Sequence, residues 1–182
     1  MKRVSAPLLA VAATLVFVTS IQAQQLSSAI DENSRPVRLL RNWYDTIKTP
    51  RGEMPRRVDI VYDYSKAAAF ERWHSMDGRM FFERKFVLNP PTPSDMEIEE
   101  AFEIVRKDPE MIPILRRFNA VLDGGFLIEE GRGKACGPGA RCLLVQVLSP
   151  DRSGLIRVMG VDLVKMNIPY RTFVPSEHPG VK

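Results

Sequence analysis

Apolar and polar positions divide this chain into stretches of different period. Leu8 to Val18 is a single apolar run broken only by Thr14, preceded by Lys2 and Arg3 and followed by Ile21-Gln22-Ala23. A charged start, a short apolar stretch and a small residue at the junction predict a secretory signal peptide over residues 1–23. The run falls short of the ~20 residues that span a membrane comfortably. No cysteine follows the junction, so no lipid anchor is expected. Gln24 to Ser34 is polar and reads as a flexible start to the mature chain. Leu39, Leu40, Trp43 and Ile47 then fall at helical spacing, which predicts a short helix over Val37–Ile47. Thr49-Pro50-Arg51-Gly52 ends it.

From Val58 the period becomes two. Val58, Ile60 and Tyr62 alternate with Asp59, Val61 and Asp63, the pattern of a half-buried strand. A turn over Ser65–Ala68, a strand over Ala69–His74, the hairpin signal Asp77-Gly78 and a strand over Met80–Leu88 complete a meander. Asn89-Pro90-Pro91-Thr92-Pro93 is a stiff connector. Ser94 and Glu97 form a capping box, and Ile98, Ala101, Phe102 and Val105 follow as one apolar stripe, so a helix starts at Ser94. Asp108-Pro109 ends it and starts a second, with Met111, Ile112, Leu115 and Phe118 on one side; Pro113 predicts a break or restart inside it. Asp123-Gly124-Gly125 reads as a turn. Phe126–Glu130, Cys142–Leu148, Leu155–Leu163 and Tyr170–Val174 read as strands. The segments Val58–Phe86 and Leu144–Phe173 share one layout, which is either a repeated β unit or the ordinary shape of two meanders.

The fold class that follows is α+β: an antiparallel sheet of meander hairpins with a central helical segment packed on one face. The expected organisation is a signal peptide (1–23), an N-terminal extension with a short helix (24–56), one α+β domain (57–174) and a disordered tail (175–182).

Composition narrows the function. The formal charge of +4 includes Lys2 and Arg3, so the remainder is nearly neutral and gives no electrostatic case for nucleic acid. No later stretch is long and apolar enough for a membrane span. Cys136 and Cys142 form an even, closely spaced pair separated by Gly137-Pro138-Gly139-Ala140-Arg141, which in an oxidising compartment reads as a disulfide closing a hairpin tip. The spacing is not that of a C-x-x-C redox pair. Together with the leader, it places the protein in the periplasm or outside the cell.

Candidate chemistry is sparse. Two histidines, His74 and His178, do not make a tetrahedral metal site, and no cofactor is implied. His74, Ser75 and Asp77 are triad residue types, but neighbours on a strand point to opposite faces, and no G-x-S-x-G is present. Gly131-Arg132-Gly133-Lys134 lacks the spacing of a P-loop. Arg132, Lys134 and Arg141 could still hold an anion with the backbone N–H groups of that loop; the competing reading is an exposed loop tip. Glu97, Glu99, Glu100 and Glu103 read as a solvated helix face. Tyr62, Tyr64, Phe70, Trp73, Phe81 and Phe82 read as core, with a groove as the alternative. No residue is nominated as catalytic, cofactor-binding or metal-ligating.

The strand Val58-Asp-Ile-Val-Tyr-Asp-Tyr64, the Pro-rich link, the helix entry Pro93-Ser-Asp-Met-Glu-Ile-Glu-Glu-Ala-Phe-Glu-Ile-Val105 and the later Val161-Asp162-Leu163 resemble the small N-terminal domains of copper amine oxidases. The resemblance covers Val58 to Phe173 and implies a cystatin-like fold, a helix packed on an antiparallel sheet. It implies no catalysis. Asn42-Trp43-Tyr44-Asp45 is not the quinone-forming motif of that family, and two histidines cannot supply its three copper ligands. The expected function is a non-catalytic binding or accessory domain for an extracytoplasmic protein or small ligand. The alternative is an envelope enzyme or small-ligand carrier whose site has no recognisable motif.

Cleavage after Ala23 is the first testable expectation. N-terminal sequencing of exported protein should begin at Gln24, and a mature chain that still begins near Met1 would refute the leader.

Overall fold

Two β meanders flank a pair of helices in the computed structural model, which describes residues 37–87 and 90–174. The expected leader (1–23), residues 24–36 of the expected extension and the expected tail (175–182) lie outside the described residues. Sheet A has the order β1 (Val37–Thr49), β2 (Gly52–Asp63), β3 (Ala68–His74) and β4 (Met80–Lys85). The helices α1 (Asp95–Lys107) and α2 (Met111–Phe118) follow. Sheet B has the order β5 (Val121–Ile128), β6 (Cys142–Leu148), β7 (Leu155–Asp162) and β8 (Asn167–Tyr170). Every pairing is antiparallel. The α+β class is as expected, but there are two four-stranded sheets where one was anticipated.

The first correction is β1. Val37–Ile47 is a strand, not a helix, and the sheet therefore begins well before residue 57. Leu39 and Leu40 sit at a register shift between Leu39 and Arg41, which interrupts the alternation of the strand and imitates helical spacing. Thr49-Pro50-Arg51-Gly52 is a hairpin: Thr49 pairs with Gly52, and the Thr49 hydroxyl donates to the Gly52 carbonyl (2.7 Å). β3 pairs only with Arg57–Asp63 of β2, so the far half of the β1–β2 hairpin projects beyond it. That overhang is where Pro55, which lacks an N–H, is tolerated within a strand.

α1 starts where its capping box placed it. Ser94 Oγ accepts from the Glu97 N–H and Glu97 Oε2 accepts from the Ser94 N–H. The buried line, however, is Glu97, Ala101 and Val105, with Ile98 and Phe102 only partly covered. Glu97 is thus the correction to the expected solvated acidic face; Glu99 and Glu103 do face outward and pair with Arg106. Pro113 does not break α2. The interruption falls earlier, at Asp108–Glu110, and Pro113 occupies the first turn, where its missing N–H would have had no partner in the helix.

Asp123-Gly124-Gly125 is not a turn but part of β5. A bulge between Gly124 and Phe126 carries the strand past the helix, with both glycines at positive φ (136° and 101°). A Cβ on Gly124 would lie 2.3 Å from the Leu144 carbonyl oxygen, and one on Gly125 would lie 2.6 Å from Ile98 Cδ1. β8 also differs from expectation, running Asn167–Tyr170 with Pro169 inside it on the sheet edge.

One turn device occurs twice. Asp63 Oδ1 accepts the N–H groups of Ser65 and Lys66, Lys66 Nζ returns to Asp63 Oδ2, and Ala67 follows at φ 46°. Asp162 does the same with Val164, Lys165 and Met166 (φ 54°). The carboxylate stands in for the backbone acceptor that would otherwise close the turn.

The main core joins Ala101, Val105 and Met111 of the helices to Leu143, Val145, Val147, Met159 and Val161 of sheet B and to Tyr62, Tyr64 and Ala69 at the inner end of sheet A. The other face of sheet B carries a smaller cluster, Ile128, Cys136, Cys142 and Phe173.

Gly124→Ala should destabilise by about 3 kcal/mol or more, since the new methyl meets rigid backbone at a strained φ. Gly125→Ala should cost about 1–2 kcal/mol, because Ile98 can rotate away. Urea melts of the two variants check this order; equal costs would mean that the bulge is not held as described.

Candidate functional site

Of the three basic residues considered for an anion loop, the structure separates one from the others. Arg132 and Lys134 are exposed between β5 and β6, whereas Arg141 is 1% exposed and belongs to the core. Its Nε donates to Glu97 Oε1 (3.0 Å), Nη2 to Glu97 Oε2 (2.9 Å) and Nη1 to the Pro91 carbonyl (2.9 Å). The guanidinium stacks 4.8 Å from the centre of the Tyr62 ring. Glu97, 0% exposed, also accepts from the Tyr64 hydroxyl (2.7 Å) and the Ser94 N–H (3.0 Å). The loop therefore does not assemble Arg132, Lys134 and Arg141 into one site.

The electrostatics follow from this geometry. Burial alone would push the Glu97 carboxyl up, but the Arg141 hydrogen bonds and charge, the Tyr64 hydroxyl and the Ser94 N–H outweigh it and hold the carboxyl below its ordinary 4.5. Burial, opposed by the Arg141 charge, pushes the Tyr62 phenol up to about 12. Burial and the Glu97 charge push the Tyr64 phenol up further. With both Glu97 oxygens engaged, the cluster does not act as a general acid or base. It ties α1, β2, the start of β6 and the Pro-rich link together.

The cysteine pair lies at bonding distance (Sγ–Sγ 2.16 Å). It is not the tip of a solvated hairpin: both residues are buried against Ile128 and Phe173. Glu130 Oε2 accepts from the Cys136 N–H (3.0 Å) and the Tyr170 hydroxyl (2.6 Å), which pins the β5–β6 loop to β8.

The triad residue types part company as well. The two ring nitrogens of His74 face Asp59 Oδ2 (3.2 Å) and the Gly78 carbonyl (3.3 Å), while the Ser75 hydroxyl reaches Asp77 and the Arg79 carbonyl in the β3–β4 turn. Asp59 also takes Arg57 (3.0 Å). No nucleophile–base pair results. Among the described residues no three His, Cys, Asp or Glu side chains gather as a metal ion would require. No described helix is long and apolar enough to cross a membrane.

Unspent chemistry lies at the outer end of sheet A. The register aligns Trp43, Val58, Trp73 and Phe82 across the four strands. Trp73 is sandwiched: Phe82 stacks on it (centroids 4.1 Å apart) and the Arg56 guanidinium lies 3.5 Å from its ring centre. Arg56 is held by Asp45 (2.8 Å), and the Trp73 indole N–H donates to Glu71. Trp43 is exposed on the face of this stack, Tyr44 (69% exposed) on the opposite face of β1, and Met80 and Phe81 on the edge strand β4, where the Phe81 ring lies 6.2 Å from that of Trp73. The sequence placed Trp73, Phe81 and Phe82 on strands, but alternation suggested core for all three. Exposure of Phe81 follows from its place on an edge strand. A separate cleft of about 220 Å³ lies between β1 and the start of α1, lined by Leu39, Arg41, Asn42, Ser94 and Met96 among others.

No protein-family model matches the chain, and no curated protein matches it.

Glu97→Gln should cost about 3–5 kcal/mol at pH 7, because it leaves the Arg141 charge buried without its counter-ion. The folded pKa of Glu97 lies below its unfolded value, so its contribution is complete above about 4.5 and is lost as the pH falls through the folded value. The gap between wild type and variant should therefore narrow in acid. Urea melts from pH 7 down to pH 3 measure it, and a gap that does not change with pH would refute the ionised assignment.

Proposed function

We propose that this chain is an extracytoplasmic, non-catalytic binding or accessory domain, and that its protein partner docks on the aromatic end of sheet A. The observation that carries this reading is the exposure of Met80 and Phe81 on the edge strand β4, beside the Arg56–Trp73–Phe82 stack. Exposed apolar clusters rimmed by charge mark interaction surfaces, and aromatic and arginine anchors dominate such contacts. Inside the molecule, by contrast, Glu97 and Arg141 are fully engaged with one another and their neighbours, which removes them from chemistry.

Two further features support the reading. A cysteine pair at bonding distance suits an oxidising compartment. A helix followed by a four-stranded antiparallel sheet, α1 with β5–β8, suits the cystatin-like accessory domains of copper amine oxidases that the sequence resembles. The role proposed is of that kind: a surface that positions a partner, with no chemistry of its own.

Immobilised protein should retain a partner from the envelope fraction of its own cell. A Met80→Ser/Phe81→Ser variant with an unchanged melting curve should retain at least tenfold less of it. Equal retention by the two, or retention of nothing by either, would overturn the proposal.

A further inference from the structure

Each sheet has two edges, and three of the four are blunted. β8 is four residues long and contains Pro169, β5 is bent by its glycine bulge, and β4 is short and ends in Glu83, Arg84 and Lys85. Short length, proline, bulges and charge are the ordinary means of keeping an edge from pairing. β1 has neither proline nor bulge over its outer half, and among its charges there Arg41 and Asp45 are of opposite sign. It is 13 residues long, its only register shift lies at Leu39/Arg41, and Arg41–Thr46 are exposed.

We propose that this edge pairs with the same edge of a second copy, antiparallel, across a two-fold axis at Trp43. The inference goes beyond the partner-binding reading and does not depend on it, since that reading is tested at Met80 and Phe81. An isologous contact must be self-complementary. With the axis at Trp43, the two Trp43 side chains face one another, Asn42 falls opposite Tyr44 of the second copy, and Arg41 falls opposite Asp45 on both sides of the axis. Arg41, Trp43 and Asp45 alternate onto one face of the strand, so both ion pairs flank the indoles on that face. Opposite charges and aromatic pairs directly across strands are the favourable cross-strand combinations. Moving the axis to Tyr44 sets Arg41 against Ile47 and Trp43 against Asp45, and both ion pairs are lost.

The partner groups are free to take this role. Among the described residues Arg41 otherwise reaches the exposed Thr92 hydroxyl (2.9 Å). Asp45 gives one oxygen to Arg56 and the other to the Thr46 N–H (2.7 Å), and a carboxylate has lone pairs left for a second guanidinium. Dimerisation would join two copies of sheet A into one continuous sheet and leave Met80 and Phe81, on the far edge of each copy, open.

Sedimentation equilibrium of the purified protein should show a concentration-dependent dimer. Arg41→Glu and Asp45→Arg should each raise the dimer dissociation constant at least tenfold, since each sets like charges opposite one another. An equimolar mixture of the two variants should restore the dimer, because both pairs then become attractive again. Under mild oxidation Trp43→Cys should form a cross-linked dimer and Tyr44→Cys should not. A wild type that is monomeric at every concentration, a mixture that stays monomeric, or cross-linking through Tyr44→Cys in place of Trp43→Cys would each overturn the proposal. Equal partner retention by wild type and the Met80→Ser/Phe81→Ser variant, or retention by neither, with the dimer intact would instead count only against the accessory-domain reading.

Discussion

The arrangement depends on one buried ion pair. Taking a carboxylate and a guanidinium out of water costs several kcal/mol each, and only near-complete hydrogen bonding offsets it. Glu97 and Arg141 reach that condition with the help of Tyr64, Ser94 and the Pro91 carbonyl. Satisfying the pair fixes the start of α1, the path of the Pro-rich link, the residue that enters β6 and the inner end of β2. The bulge at Gly124–Gly125 serves the same geometry, because a side chain at Gly125 would push against Ile98, on the same helix one residue past Glu97. The cysteine pair closes its ring next to Arg141 and helps hold the loop from which the guanidinium enters.

This division of polar groups gives the two sheets different characters. Sheet B is covered on one face by helices and on much of the other by its own loop and the segment after β8. Sheet A meets the core only at its inner end, through Tyr62, Tyr64 and Ala69. Its outer end is a projecting hairpin stiffened by an Arg–Trp–Phe stack. Rigid aromatic surface carried on strands suits recognition, because little side-chain entropy remains to be lost on contact.

Much of this was legible in the sequence and some was not. The capping box named the start of α1, period-two alternation located the second half of β2, and the apolar stretches between turn signals located β3, β6 and β7, because those strands are held on both sides. β1 was misread because an edge strand exposed on both faces is under no pressure to alternate, and its bulge happens to space Leu39, Leu40 and Trp43 like a helix. Asp123-Gly124-Gly125 was misread because glycine at positive φ serves a bulge as well as a turn. Glu97 was missed for a different reason: its N3 position fully explains a glutamate, so nothing local asks for a partner 44 residues away. The separation of Arg141 from Arg132 and Lys134 was equally invisible, since sequence proximity cannot show which side of a loop turns inward. The Asp-x-x-Lys turns at Asp63 and Asp162 did leave a signal, the same four-residue spacing at two places.

A seam closed by charges behaves differently from one closed by leucines. When sheet A lifts from the helices, water reaches Glu97 and Arg141 and solvates both, so part of the cost of exposure is returned at once. An apolar seam would gain nothing. A separation at Tyr62 and Tyr64 would leave both β ladders and the Glu97–Arg141 pair itself intact.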